Sequence, residues 1–231
     1  MSSGTGTEPM RPARLAVIAI AALIAIPSFA QDWVEYIHLT DRFGLMLPGA
    51  PEISATTHTS AFGVVFPATV YSVDAGLSRY SMTVVDYTEA ERRHRERPDM
   101  TDAVSAPRLW VMDVRASVAT EAERFRTRGG EVTYDGWADI DKVEGHNLQI
   151  TNPDGSRSFI AIHLNDSRLY VLEGTVPRGF PPPVLVQQSL FFLDDEGKRV
   201  RYTFDPNGQR IGAEQRDFGE VQEGVTRMVV R

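Results

Sequence analysis

Ser158-Phe159-Ile160-Ala161-Ile162-His163-Leu164, followed across Asn165-Asp166 by Leu169-Tyr170-Val171-Leu172, constrains the fold more tightly than any other part of the chain. Both runs are apolar at successive rather than alternate positions, and a β-strand points successive side chains to opposite faces. Such strands need cover on both faces, which implies a layer of helix on each side of their sheet. The expected fold class is therefore α+β: an antiparallel sheet with helices on both faces, an α/β/α sandwich.

Upstream, Val34 to Tyr87 reads as β. Trp33-Val34-Glu35-Tyr36-Ile37 leads into the apolar run Phe43-Gly44-Leu45-Met46-Leu47, and Pro48-Gly49-Ala50-Pro51 enforces a turn. Proline presets φ there and glycine allows positive values. Ile53 to Ser60 and Val64 to Ser72 are rich in β-branched residues and flank Phe62-Gly63 as the arms of a hairpin. Pro67 puts the second arm at an edge or a bulge. Tyr80 to Tyr87 is the next strand, pairing with Val64–Ser72 across Asp74-Ala75-Gly76.

Glu89 to Arg97, ended by Pro98, mixes both charge signs and reads as a solvated loop or a short exposed helix. The best helix follows. Val111, Val114, Val118, Ala122 and Phe125 recur at spacings of 3, 4, 4 and 3, which stacks them on one face. Ser105 caps its start, Pro107 is tolerated in the first turn, and Gly129-Gly130 supplies the stop. Glu131 to Tyr134, Trp137 to Ile140 and Leu148 to Ile150 are strand-like, and Asn152-Pro153-Asp154-Gly155 is a strong turn. Downstream of Leu172, Pro181-Pro182-Pro183 opens a short helix through Val184, Leu185, Gln188 and Leu190, before Phe191-Phe192-Leu193.

From Asp194 to Arg231 the chain is more polar. Val200, Tyr202 and Phe204 alternate with Arg201 and Thr203, the pattern of a half-buried strand between two turns, Asp194–Gly197 and Asp205–Gly208. This region reads as an appended hairpin with a loose end.

At the other end, Arg11 and Arg14 precede the uncharged run Leu15 to Ile26, and Pro27 leads to the small-x-small pattern Ser28-Phe29-Ala30. That is the layout of a secretory signal, cut between Ala30 and Gln31. Twelve residues rise only about 18 Å, short of the roughly 30 Å of a bilayer core. The organisation read from the sequence is thus residues 1–30 signal peptide, 31–193 one globular domain, and 194–231 the hairpin extension and tail.

Removing the leader leaves 201 residues, ample for one hydrophobic core, and shifts the net charge from −7 to −8. A mildly acidic domain has no field to gather nucleic acid or anionic lipid. The chain has no cysteine, which removes disulfides, thiol chemistry and Cys-based metal sites.

The order of these signals resembles the PsbP-like family. Phe43-Gly44-Leu45-Met46-Leu47-Pro48-Gly49-Ala50-Pro51 is similar to its opening F-x-V-x-F-P-G-x-P, and Tyr80 to Tyr87 to its middle Y-x-V-x-Y-x-D-Y strand. Gly145-His146-Asn147-Leu148 sits at its usual turn, Arg168-Leu169-Tyr170-Val171-Leu172 matches the n-R-l-Y-x-l strand, and Pro183 to Phe192 resembles its closing helix and strand. The resemblance spans roughly Val34 to Leu193. It implies the same α/β/α sandwich, and a role like that of members that support photosystem II or bind the Ran GTPase: binding other proteins, with no shared active site.

The residues that could carry chemistry are scattered. His38, His58, His94, His146 and His163 form no H-E-x-x-H or paired-ligand spacing. His38 with Asp41, and His146 with Glu144, could each make a local pair, but no G-x-S-x-G elbow presents a nucleophile. His163 reads as a packed or turn-facing imidazole. Asp194-Asp195-Glu196 and Asp205-x-Asn207-Gly208 resemble parts of a calcium loop, yet Asn-Gly is first of all a hairpin dipeptide. Asn165-Asp166-Ser167 matches a glycosylation sequon that the turn itself explains. The Arg92–Arg97 run, interleaved with Glu, reads as a solvated face or a grip for an acidic partner.

No catalytic, cofactor-binding or metal-ligating residue and no cofactor is therefore assigned. The expectation is an exported, periplasmic or secreted domain that acts without catalysis, through protein binding or envelope support. Its partner would be another periplasmic or envelope protein, with no nucleic acid and no membrane span after cleavage. The rival expectations are a hydrolase or metal-dependent enzyme assembled only by the fold, and a small-molecule or lipid carrier.

Overall fold

A computed structural model describes residues 33–97 and 108–231. The signal segment Arg11–Ala30, the cleavage position before Gln31, and the helix-start residues Ser105 and Pro107 lie outside the described residues. In chain order the elements begin with β1 (Trp33–His38), β2 (Phe43–Leu47), β3 (Glu52–Thr59), β4 (Val65–Ala75) and β5 (Ser78–Asp86). Helices α1 (Ala90–Arg95) and α2 (Leu109–Thr127) follow, then β6 (Glu131–Ile140), β7 (Val143–Thr151), β8 (Arg157–Asn165) and β9 (Arg168–Val176). The remainder comprises α3 (Val184–Ser189), β10 (Phe191–Phe192), β11 (Arg199–Phe204), β12 (Arg210–Arg216) and β13 (Val225–Val230).

The stretch at residues 158–172 forms β8 and β9, in the middle of a seven-stranded sheet ordered β3-β4-β5-β9-β8-β7-β6. Every neighbouring pair in it is antiparallel. Two-residue turns hold its register. Asp166 and Ser167 between β8 and β9, and Asp141 and Lys142 between β6 and β7, all have positive φ. This is the primed-turn geometry whose twist matches that of the strands it joins. Pro67 sits in β4, second from the edge and level with Asp86 at the end of β5, one place beyond the β4–β5 pairing, which starts at Ala68. The missing N–H therefore interrupts no ladder bond there.

Both faces of the sheet are covered, but the covers differ in kind. Ile160, Ile162, Leu169 and Val171 pack with Ala122 and Phe125 of α2 and Ala90 of α1. Ala161, Tyr170 and Leu172 point the other way, into a core shared with Val34, Tyr36, Phe43, Leu45 and Leu47 of β1 and β2, and with Val186 of α3. That second cover is chiefly a four-stranded sheet ordered β10-β2-β1-β13. The α/β/α sandwich expected from the sequence is thus overturned: the chain is mostly β, with only three helices among the described residues. The physical reason is that successive apolar positions demand cover without specifying its type. The alternation of Phe43, Leu45 and Leu47 gives β2 one apolar face that serves as well as a helix.

The segment read as a loose end is ordered into the fold. β13 lies parallel to β1, from Trp33 opposite Val225 to His38 opposite Val230, and Arg227 Nε donates to Glu35 Oε2 at 2.6 Å. β11 and β12 form the hairpin that the alternation of Val200, Tyr202 and Phe204 implies. No helix among the described residues is long and apolar enough to cross a membrane.

Candidate functional site

The most distinctive surface lies where α2, the β6–β7 hairpin and the β11–β12 hairpin meet, around an open groove of about 370 Å³. Val118 and Ala119 of α2 and Leu164 of β8 supply apolar lining, while Trp137 and Phe204 stand at the groove from the two hairpins. Trp137 is 76% exposed, although tryptophan is among the side chains with most to gain from burial. Arg115, Lys142 and Arg210 also line the groove, with Glu144 the acidic residue among them.

Trp137 is held rather than loose. It sits opposite His146 in the β6–β7 ladder, and the two rings meet edge to face at 5.5 Å between centroids. His146 is hydrogen-bonded to Asp135. Arg126 of α2 grips the same carboxylate twice, Nε to Oδ2 at 2.6 Å and Nη2 to Oδ1 at 2.9 Å. Those bonds from Arg126, and then that from His146, hold the Asp135 carboxyl far below the usual carboxylate range. The expected His146–Glu144 pair is therefore replaced by a His146–Asp135–Arg126 cluster. Residues on neighbouring strands meet across a ladder, whereas residues two apart on one strand are merely on the same face.

A second polar cluster lies under α1 and α2. His94 Nε2 is 2.9 Å from Asp113 Oδ2, with both side chains buried, and the Phe62 N–H donates to Asp113 Oδ1 at 3.3 Å. On the same helix face Ser117 and Glu121 are also buried. Glu121 lies 3.7 Å from His58 and is paired with Arg124. Burial raises the Glu121 carboxyl, and burial followed by the nearby Arg124 pushes the His58 imidazole down to about 4. The run read as a solvated charge face, Glu89–Arg97, thus turns two members inward, Ala90 and the titratable His94. Arg92 pairs outside with Glu89 and Glu96, and His94 faces the core.

The other candidates are placed plainly. His38 Nδ1 accepts the Asp41 N–H at 3.0 Å, while the Asp41 carboxylate takes the Tyr71 hydroxyl at 2.6 Å. His163 is fully buried, its Nδ1 donating to Val143 O at 3.2 Å, and burial pushes it down to about 4. Asp194 Oδ1 accepts the N–H groups of Glu196 and Lys198, and Asp205 Oδ1 those of Asn207 and Gln209. Each aspartate is spent on its own turn. Asn165 is buried at the end of β8. Among the described residues no three His, Asp or Glu side chains gather as metal ligands.

Two features escaped the sequence reading. The spacing of Asp113, Ser117 and Glu121, one helical turn apart, was a legible sign of a polar stripe beside the apolar one. The exposure of Trp137 had no local sign, since it depends on where the β11–β12 hairpin lies. No protein-family model matches this chain, and no curated protein matches it.

Proposed function

We propose that this is an exported binding domain, acting on another protein of the periplasm or envelope, and that the groove at Trp137 is where it binds. The observation that carries this reading is Trp137 itself, exposed yet braced by His146 and the Arg126–Asp135 pair. A rigid aromatic beside a partly apolar groove is the usual composition of a binding hot spot. Arg115, Lys142 and Arg210 favour a segment that offers an apolar side chain flanked by acidic ones. The groove is open to solvent and small, which suits a segment of chain better than an enclosed lipid. The PsbP-like resemblance, carried by residues of β2, β5 and β9, supports binding as the mode of action.

The test is parallel affinity capture from the native periplasm with the wild-type protein and with Trp137→Ala as baits. Species held by the wild type and lost from the variant are expected. Identical captures from both baits would remove the groove from the reading. Turnover of a generic ester or phosphate substrate, with nothing captured, would favour the enzyme alternative.

A further inference from the structure

The two outer strands of the seven-stranded sheet are defended differently. β6 carries Glu131, Asp135 and Asp139, and its register slips between Val132 and Tyr134. Acidic side chains and a bulge are ordinary means of stopping a free edge from pairing with another chain. β3 has neither bulge nor proline, and Glu52, at its start, is its only carboxylate. Its register runs unbroken from Glu52 opposite Ser72 to Thr59 opposite Val65. Seven of its eight residues are exposed, and among the described residues no strand lies on its outer side.

The ladder phase says which backbone groups are free. The Ser60 N–H donates to Val64 O at 2.8 Å, so that pair is hydrogen-bonded across the hairpin. Antiparallel pairs alternate, so His58, Thr56, Ser54 and Glu52 also bond to β4, while Ile53, Ala55, Thr57 and Thr59 aim N–H and C=O outward. The Thr59 carbonyl is already taken by Arg124. Ile53 to Thr57 is left as an open run.

We propose that a second copy of this chain pairs with β3 in antiparallel fashion, about a two-fold axis at Ala55. Ala55 then exchanges both main-chain bonds with the partner's Ala55, and Ile53 does so with the partner's Thr57. In this register Glu52 falls opposite the partner's His58, on the face that carries α2. There Arg124 Nη1 lies 3.4 Å from His58 Nδ1 while also holding Glu121, so each Glu52 carboxylate comes beside a guanidinium that it shares with Glu121, and the symmetry makes the contact twice. On the other face Ile53, about half exposed, loses water against the partner's Thr57. The groove at Trp137 takes no part in this pairing.

The experiment is sedimentation of the purified protein over a wide concentration range, for the wild type, Ala55→Pro, Glu52→Arg and Trp137→Ala. The wild type and Trp137→Ala are expected to form dimers. Ala55→Pro removes an outward donor that β4 does not use, so it should be monomeric with an unchanged circular dichroism spectrum. Glu52→Arg places like charges opposite one another and should weaken the dimer at least about tenfold. Should Ala55→Pro misfold, Glu52→Arg decides. A wild type that stays monomeric at the highest concentration, or a dimer indifferent to both edge variants, would overturn the proposal.

Discussion

His94 Nε2 and Asp113 Oδ2 lie 2.9 Å apart with almost no solvent on either side chain, and through them α1 is tied to α2. A buried pair of this kind is a modest source of stability while both partners are present, and a large liability when one is removed. His94→Ala leaves the Asp113 carboxylate, among the described residues, with the Phe62 N–H at 3.3 Å, and should cost about 3–5 kcal/mol. Asp113→Asn keeps the shape without the charge and should cost less. Urea unfolding of the two variants checks the order.

His163 makes the fold sensitive to acid. Burial keeps its imidazole neutral in the folded state down to about 4, whereas the unfolded chain takes up that proton near 6.5. The stability it permits is therefore complete above the unfolded value, falls as the pH drops through this window and is lost below about 4. The full difference is about 3 kcal/mol. His58, lowered to a similar value, adds to the same slope. Unfolding free energy measured against pH should rise steeply between these limits, and more gently in His163→Phe.

Gly145 is required by the same histidine. A Cβ at that position would stand 2.2 Å from His163 Nδ1 and 2.3 Å from Ile162 O. One of these neighbours is main chain, so the site cannot yield by a rotamer change. Gly145→Ala should destabilise by about 3 kcal/mol, at the upper end of overpacking effects. A fall in melting temperature with no change in the circular dichroism spectrum of the folded protein is the expected reading.

Tyr36 and Tyr87 present the opposite case. Both hydroxyl oxygens are buried without a hydrogen-bond partner among the described residues, and burial raises both phenols, that of Tyr36 to about 12. Deleting an unsatisfied polar atom removes a desolvation cost of about 1 kcal/mol or more and loses no bond. Tyr36→Phe and Tyr87→Phe should be neutral or stabilising in thermal unfolding. A loss as large as that of Gly145→Ala would show that the hydroxyls have work the fold does not reveal.

What could be read from the sequence was local. Asn165-Asp166 marked the β8–β9 turn, one residue ahead of where Asp166 and Ser167 make it, and the consecutive apolar residues of Phe159–Ile162 announced two covered faces. What covered them was not readable, because Phe43, Leu45 and Leu47 show only that β2 has an apolar side, not which sheet it closes. His94 looked like one more charge in an exposed run. Its partner Asp113 lies beyond a stretch where no periodic signal links the two. Trp137 read as an ordinary strand residue for a similar reason: the groove beside it is made by Phe204 and Arg210, distant in sequence.

The parallel pairing of β13 with β1 also bears on timing. The Arg227–Glu35 contact joins positions 192 residues apart. Closing so long a loop adds little to the equilibrium cost, which grows only with the logarithm of length, but contacts of this range form late. Until residues 225–230 arrive, the outer side of β1 is an unguarded template in a chain whose central sheet is already able to assemble. The vulnerable interval of this protein is therefore an early one in its life, between the joining of its hairpins and the arrival of its last strand. Conditions that lengthen that interval would turn the chain toward aggregation.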